Sequence, residues 1–404
     1  MLFDPAAHEL LAAEPWNAER VRAVARDVVA DTDTAYDPAE GHWPLHPLDS
    51  GDDDDDWAGV SHGIYLGAAG TLLALDRLAR AGVAESSIDL RAAATGLHDG
   101  YLRRCHVPDE PMPSLMIGEA GIQLAAEVIA PDPARHVALL EVVRANAGNE
   151  TLELLYGAPG TMLVARALHR RTGEERWAAA WRESAEALLR EWQFDDELGC
   201  HLWVQRFAGR VSPLLGAAHG FAGNVLALLD GLELLPTGER DDVVRRAART
   251  TLATAVAADG LANWPATAGG ATLGEPGTRT QWCHGAPGMV SSLAALPADP
   301  ELDAILAAGA ELTWQAGPLA KGAGLCHGTA GNGFAFLALF SRTGDELWLT
   351  RARAFAMHAL AQVEQERRRY GRGRFGLWTG DLGAVLYAAQ CVAGDAAIPT
   401  LSAW

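Results

Sequence analysis

Cysteine is scarce in this 404-residue chain: Cys105, Cys200, Cys283, Cys326 and Cys391 are the whole set, odd in number and widely spread. That excludes the dense disulfide framework of a small secreted domain and suits a reducing compartment, where cysteine more often serves as a metal ligand or nucleophile. Positive charge is also short. Thirty-two Lys and Arg stand against 52 Asp and Glu, a formal charge of −20, and no long basic cluster occurs. Such a field repels phosphate backbones, so nucleic acid is not expected as a partner. The opening MLFDPAAHELL has no basic stretch followed by a long apolar one, so no secretory signal is expected. Uncharged runs are equally rare. Gly322 to Ser341 contains no Asp, Glu, Lys or Arg, but its glycines, with Cys326, His327 and Asn332, would be costly in lipid. It reads as a buried loop and helix, and the expectation is a cytoplasmic protein with no integral membrane segment. Strand signals are sparse, and no Asn-Gly or Asp-Gly pair stands out between alternating residues.

Glycine, by contrast, is abundant: 43 residues, about a tenth of the chain against roughly 7% on average. Much of the excess is ordered. A G-x-x-G step recurs at Gly67-Gly70, Gly118-Gly121, Gly157-Gly160, Gly220-Gly223, Gly285-Gly288, Gly328-Gly331 and Gly380-Gly383, each time leading into an apolar run. Between the steps lie charged amphipathic segments near residues 18–32, 86–104, 132–147, 174–192, 239–258, 299–315 and 346–366. In the fourth, Trp177, Trp181, Ala185, Leu188 and Trp192 form one helical stripe, with Arg182, Glu183, Glu186 and Arg190 turned elsewhere. The repeating unit is an amphipathic outer helix, a glycine loop and a uniformly apolar inner helix.

Seven helical hairpins can form an open solenoid or a closed ring. Closure is favoured, because the apolar inner helices would be half exposed on the concave face of a solenoid. Pro159 and Pro287 sit where a first helical turn tolerates proline. The expected fold is an all-α α/α toroid of seven helical hairpins, one domain over residues 1–404, with residues 1–60 supplying an N-terminal helix and an acidic loop. The Asp52–Asp56 run reads as a solvated loop. No Walker lysine or βαβ setting accompanies the glycine steps, so they are architectural and not phosphate-binding.

Chemistry concentrates in three of the loops: TQWCHGAPG with Cys283 and His284, GLCHGTAGNG with Cys326 and His327, and GAAHGFAGN with His219. Equivalent loops at one end of a ring converge on its axis, so residues far apart in sequence can meet there. Cysteine and histidine are natural zinc ligands, and three of them with an open fourth position describe a catalytic site. Spacing alone does not choose between His284 and His327 as the nitrogen ligand. Cys105, Cys200 and Cys391 read as small core residues.

The strings WCHGAPG, GLCHGTAGN, GAAHGFAGN and ELLYGAPG resemble the lanthionine synthetase C-like family, and the likeness runs from about His62 to Tyr387 through all seven repeats. The resemblance implies the same seven-fold double helical toroid and a Zn2+ held by Cys283, Cys326 and His327, with His284 outside the ligand set. It also implies catalytic roles for His219 in handling protons and for Arg279, which matches an arginine of bacterial cyclases. Glu153 stands where those cyclases carry aspartate; the longer carboxylate resembles the eukaryotic branch. The implied reaction is addition of a thiol to dehydroalanine or dehydrobutyrine to give a thioether. Two substrates fit: a dehydrated precursor peptide that closes into lanthionine rings, or glutathione added to a dehydroamino-acid-containing protein. A separate dehydratase or kinase-lyase must supply the unsaturated residue. A non-catalytic zinc-containing peptide-binding or scaffold protein is the rival from another class. Metal-assisted hydrolysis fits a Cys-rich site less well.

Overall fold

The chain alternates outer and inner helices, as the glycine steps require. In this computed structural model, which describes residues 2–49, 62–104, 111–207, 209–270 and 278–402, α1 (Ala18–Ala35) leads to α2 (Ala68–Arg80), and the pair α3 (Leu90–Thr95) and α4 (Leu97–Arg104) to α5 (Glu119–Ile129). There follow α6 (His136–Ala145) and α7 (Ala158–Thr172), α8 (Glu175–Arg190) and α9 (Phe221–Asp230), and α10 (Thr237–Thr254) and α11 (Ala286–Leu293). The last two pairs are α12 (Pro300–Ala316) with α13 (Thr329–Thr343) and α14 (Glu346–Tyr370) with α15 (Asp381–Ala393). The inner helices α2, α5, α7, α9, α11, α13 and α15 pack each on the next, and α15 packs back on α2. The circle is closed: the fold is an α/α toroid.

The first glycine of every step is the N-cap of an inner helix and supplies no side-chain cap. The orphan N–H groups of a first turn need other partners; in α2, α5, α9, α13 and α15 the preceding loop provides them, and in α11 the Asn263 side chain accepts from Ala286 N. In α13 the amides of Thr329, Ala330 and Gly331 donate to the carbonyls of Gly322, Ala323 and Gly324, each seven residues earlier, at 2.9, 3.1 and 3.2 Å. The same folding-back brings a loop carbonyl onto the second glycine. A Cβ at Gly288 would lie 1.8 Å from the carbonyl oxygen of Trp282, and one at Gly331 would lie 1.7 Å from that of Leu325. At all seven steps the intruding oxygen belongs to the residue six positions before the second glycine. Only at Gly285, with φ 113, does the first glycine also need the left-handed region.

Outer helices use ordinary signals. Asn17, Asp299 and Asp345 cap α1, α12 and α14 through their side chains. On α8 the stripe of Trp177, Trp181, Ala185 and Leu188, continued by Trp192, is fully buried. Glu183, Glu186 and Arg190 are exposed, and Arg182 is half-buried. Cys200 and Cys391 are buried core residues; Cys105 and the Asp52–Asp56 run lie outside the described residues. Among the described residues no helix is long and apolar enough to cross a membrane, and Gly322–Ser341 is a buried loop followed by most of α13.

The strand content departs from expectation. Three antiparallel hairpins are present, β1 (Gln193–Asp195) with β2 (Cys200–Leu202), β3 (Gln205–Phe207) with β4 (Arg210–Ser212), and β5 (Val256–Ala258) with β6 (Leu261–Asn263). The third turns on Asp259 and Gly260, at φ 54 and 78, the two-residue Asp-Gly turn with positive φ at both centres. Three-residue strands are too short for alternation to register in sequence. Consequently the segment expected as helix to 258 ends its helix at Thr254. The segment 86–104 is likewise two short helices, because glycine is a weak helix former and Gly96 ends α3.

Two predictions follow from this packing. Gly331→Ala should lower unfolding stability by on the order of 3 kcal/mol in urea titration, because the obstructing atom is backbone. Gly148→Ala, with open space around it, should be near neutral. Asp381, the first residue of α15, is buried and pushed up to about 7 by that burial, among Glu366 and Arg367 of α14 and Arg374. Its folded state therefore holds a proton that the unfolded chain has released, so its contribution to stability is full below the usual carboxylate range and lost as pH rises through about 7. Between about pH 5 and about pH 8, the melting temperature should fall more for the unaltered protein than for Asp381→Asn.

Candidate metal centre

Two glycine loops deliver the thiols. Cys283 precedes α11 and Cys326 precedes α13, each directly following the residue whose carbonyl presses on the second glycine (Trp282 and Leu325). The loops are joined by backbone: Cys283 N donates to Cys326 O at 3.1 Å, while Leu325 N and Cys326 N both donate to Trp378 O at 2.9 and 3.0 Å. In this frame the ligand atoms of Cys283, Cys326 and His327 lie within 4.8 Å of one another. His284 is not part of this group, so among the described residues His327 is the nitrogen that joins the two thiols.

The electrostatics suit a metal. The Cys326 thiol hydrogen-bonds to Cys283, which lowers Cys283 to about 7 and pushes Cys326 up. Gln281 Nε2 also donates to Cys283 Sγ at 2.9 Å, and the Tyr65 hydroxyl hydrogen-bonds to Cys326. Burial lowers His327 to about 4, helped by the positive charges of Lys321 and Arg374. Its imidazole is therefore neutral at pH 7, with a lone pair available to a metal. Two thiols and a neutral imidazole, mostly withdrawn from water and close together, are a donor set suited to a metal such as zinc.

Two of the candidate catalytic residues, His219 and Arg279, lie close enough for their charges to act on Cys283. Glu153 is fully buried. Its oxygens accept from the amides of Leu155 and Tyr156 at 3.0 and 2.6 Å and from His219 Nδ1 at 2.8 Å. It is neither solvated nor adrift. His219 is sandwiched between Tyr156 and His284, with ring centroids 6.4 and 5.9 Å away. His284 is buried, its Nδ1 has no hydrogen-bond partner among the described residues, and burial with the nearby charges of Arg279 and His219 lowers it to about 3. Arg279 is exposed, and its charge acts on both Cys283 and His284.

Several groups at the site went unread in the sequence. Lys321 is the chain's sole lysine, five positions before Cys326, and that uniqueness was the available signal. Arg374 holds Asp49 through two hydrogen bonds, Nε to Oδ2 at 2.9 Å and Nη2 to Oδ1, which brings the segment after α1 beside His327. Gln281 and Tyr65 carry no motif that distinguishes them from structural residues.

The sequence profile of the lanthionine synthetase C-like proteins matches residues 60–401. A zebrafish (Danio rerio) protein named glutathione S-transferase LANCL1 is 44% identical over 79 residues, 19% of this chain and 19% of that protein. The LanC-like protein GCL1 of Arabidopsis thaliana is 35% identical over 170 residues, 40% of this chain and 36% of that protein. The matched stretches thus span about a fifth and about a third of these relatives' lengths. Among solved structures, nisin cyclase superposes with a TM-score of 0.64 over 92% of this chain and 94% of its own, at 14% identity, a likeness of fold. With its profile match spanning almost the whole chain and its toroid closed in the same way, this protein belongs to the lanthionine synthetase C-like family.

Proposed function

We propose that this protein is a zinc-dependent enzyme that adds a thiol to dehydroalanine or dehydrobutyrine and so forms a thioether. The observation that carries the reading is the Cys283–Cys326–His327 cluster standing beside the Glu153–His219 pair. Zinc bound by the cluster would supply a Lewis acid that lowers the pKa of a substrate thiol.

The chain's own groups do the rest. Glu153 Oε2 holds Nδ1 of His219, and this buried carboxylate would stabilise the imidazolium once His219 takes the thiol proton. As sulfur bonds to the β-carbon, the double-bond electrons move to the carbonyl oxygen. Arg279, positive and exposed at the rim, is suited to stabilise that oxyanion. The proton held on His219 can then pass to the α-carbon, which completes the balance.

Ring closure within a dehydrated precursor peptide is the first substrate reading. Addition of glutathione to a dehydroamino-acid-containing protein is the second, and one observation favours it. In a chain of charge −20, the charges that reach the cluster include those of Arg279 and Lys321, a setting that attracts the carboxylates of a small peptide thiol. The name of the zebrafish relative points the same way. In either case a separate dehydratase or kinase-lyase supplies the alkene.

Metal analysis of the purified protein should find about one zinc per chain, and Cys283→Ala should lose the zinc together with thioether formation. His219→Asn should keep the zinc and lower kcat by about 10²–10⁴-fold. Mass spectrometry of a dehydrated peptide with and without glutathione separates the substrates: ring closure leaves the mass unchanged and protects cysteine from alkylation, whereas addition raises the mass. Full zinc occupancy without thioether formation on any dehydrated peptide or protein, with or without glutathione, would favour a binding or scaffold role instead.

A further inference from the structure

Part of the chain after α15 is buried. Ile398, Thr400 and Leu401 are buried, although the segment 395–402 has no regular secondary structure. It lines two cavities at the C-terminal ends of the inner helices, away from the thiols. One, of about 380 Å³, lies among the C-terminal ends of α2, α5 and α15 and is lined by Thr400. The other, of about 370 Å³, lies among those of α7, α9, α11 and α13 and is lined by Ile398 and Ser402. From α15, Gln390 Nε2 grips the segment, donating to Ala397 O at 2.6 Å and to Asp395 Oδ2 at 3.2 Å.

The segment reaches far enough up the ring to touch the loop before α15, which in turn holds the Cys326 loop. Trp378 Nε1 donates to Thr400 Oγ1 at 3.1 Å, and the Thr400 hydroxyl is itself committed as a donor to Pro399 O at 2.6 Å. Thr400 holds φ at 66, a conformation that a β-branched residue adopts only when its surroundings impose it. Trp378 in turn supports both thiols. Its carbonyl receives the amides of Leu325 and Cys326, its ring lies 4.6 Å between centroids from that of Trp282, which precedes Cys283, and its amide donates to Tyr65 O at 3.2 Å. No other partner of the Trp378 indole N–H is needed if Thr400 stays in place.

We propose that segment 395–402 is an internal plug and that Thr400 is a positioning residue, which through Trp378 sets Cys326 and Cys283 in register for a shared metal ion. The inference rests on reading Cys283, Cys326 and His327 as a metal centre, but not on the reaction proposed for it. Its physical basis is the sensitivity of a metal site to the groups that orient its ligands. The plug thereby couples the far end of the ring to the thiols without contacting them.

Thr400→Val removes the acceptor at nearly constant volume, and Thr400→Ser retains it. Competition with a chromophoric chelator should show zinc affinity falling about tenfold or more in Thr400→Val and unchanged in Thr400→Ser. In the cobalt-substituted protein the thiolate-to-metal charge-transfer band should shift or weaken in the Val variant alone. Gln390→Met, which releases the grip on Ala397 and leaves Thr400 intact, should change the cobalt spectrum in the same direction. Unaltered zinc affinity and cobalt spectra in both Thr400→Val and Gln390→Met overturn the proposal, even if their melting temperatures fall. Failure of the unaltered protein to bind zinc or cobalt overturns the metal centre, and this inference with it; failure to form thioethers while metal is bound overturns the proposed reaction alone.

Discussion

A backbone carbonyl pressed onto the α-carbon of a glycine is the contact that the ring depends on. Seven times a loop folds back over the first turn of an inner helix and sets one carbonyl oxygen where a Cβ would stand, and in five of the seven it also gives carbonyls to the turn's unpaired amides. The amide partners answer the absence of a side-chain cap at these helix starts. The steric contact explains why the second position of the step is glycine even though its backbone is helical. Without the contact the loops would rise off the helices, and the residues they carry would not converge.

The chemistry grows from the same contact. Cys283 and Cys326 each directly follow the intruding carbonyl, so the architectural constraint also fixes where the thiols leave the backbone. Cys283 N then bonds to Cys326 O, and the α13 loop hangs from Trp378 O. The result is a pair of buried thiols that hydrogen-bond to each other, with a histidine kept neutral by burial at their side. Nearby, the buried Glu153 carboxylate holds Nδ1 of His219. Positive charge from Arg279 and Lys321 offsets locally the acidity of the rest of the surface.

Much of this was legible in the sequence because it repeats. The G-x-x-G steps locate the inner helices, and the tryptophan stripe of α8 shows which face of an outer helix is covered. The Cys-His strings mark the loops where ligands gather, and their likeness to a known family separates His327 from His284. What escaped was short or solitary. The Asp259-Gly260 hairpin has strands too brief to alternate, Gly96 divides a segment that otherwise reads as one helix, and Lys321 and Arg374 act over space and not within a motif. The plug was invisible for a further reason: Ile398, Thr400 and Leu401 form no periodic pattern, and their burial depends on a cavity that exists only once the ring has closed.

By itself, then, the sequence determined the number of repeats, the helical class, the closed ring and the candidate ligands, since each is written as a local pattern of glycine, apolar periodicity or a Cys-His pair. Tertiary structure decided that Glu153 and His219 form a pair and that segment 395–402 enters the ring. Those relations join residues tens to hundreds of positions apart. No local preference encodes such a distance; it is set by the curvature of the ring and by the carbonyl-to-glycine contacts that hold its loops down.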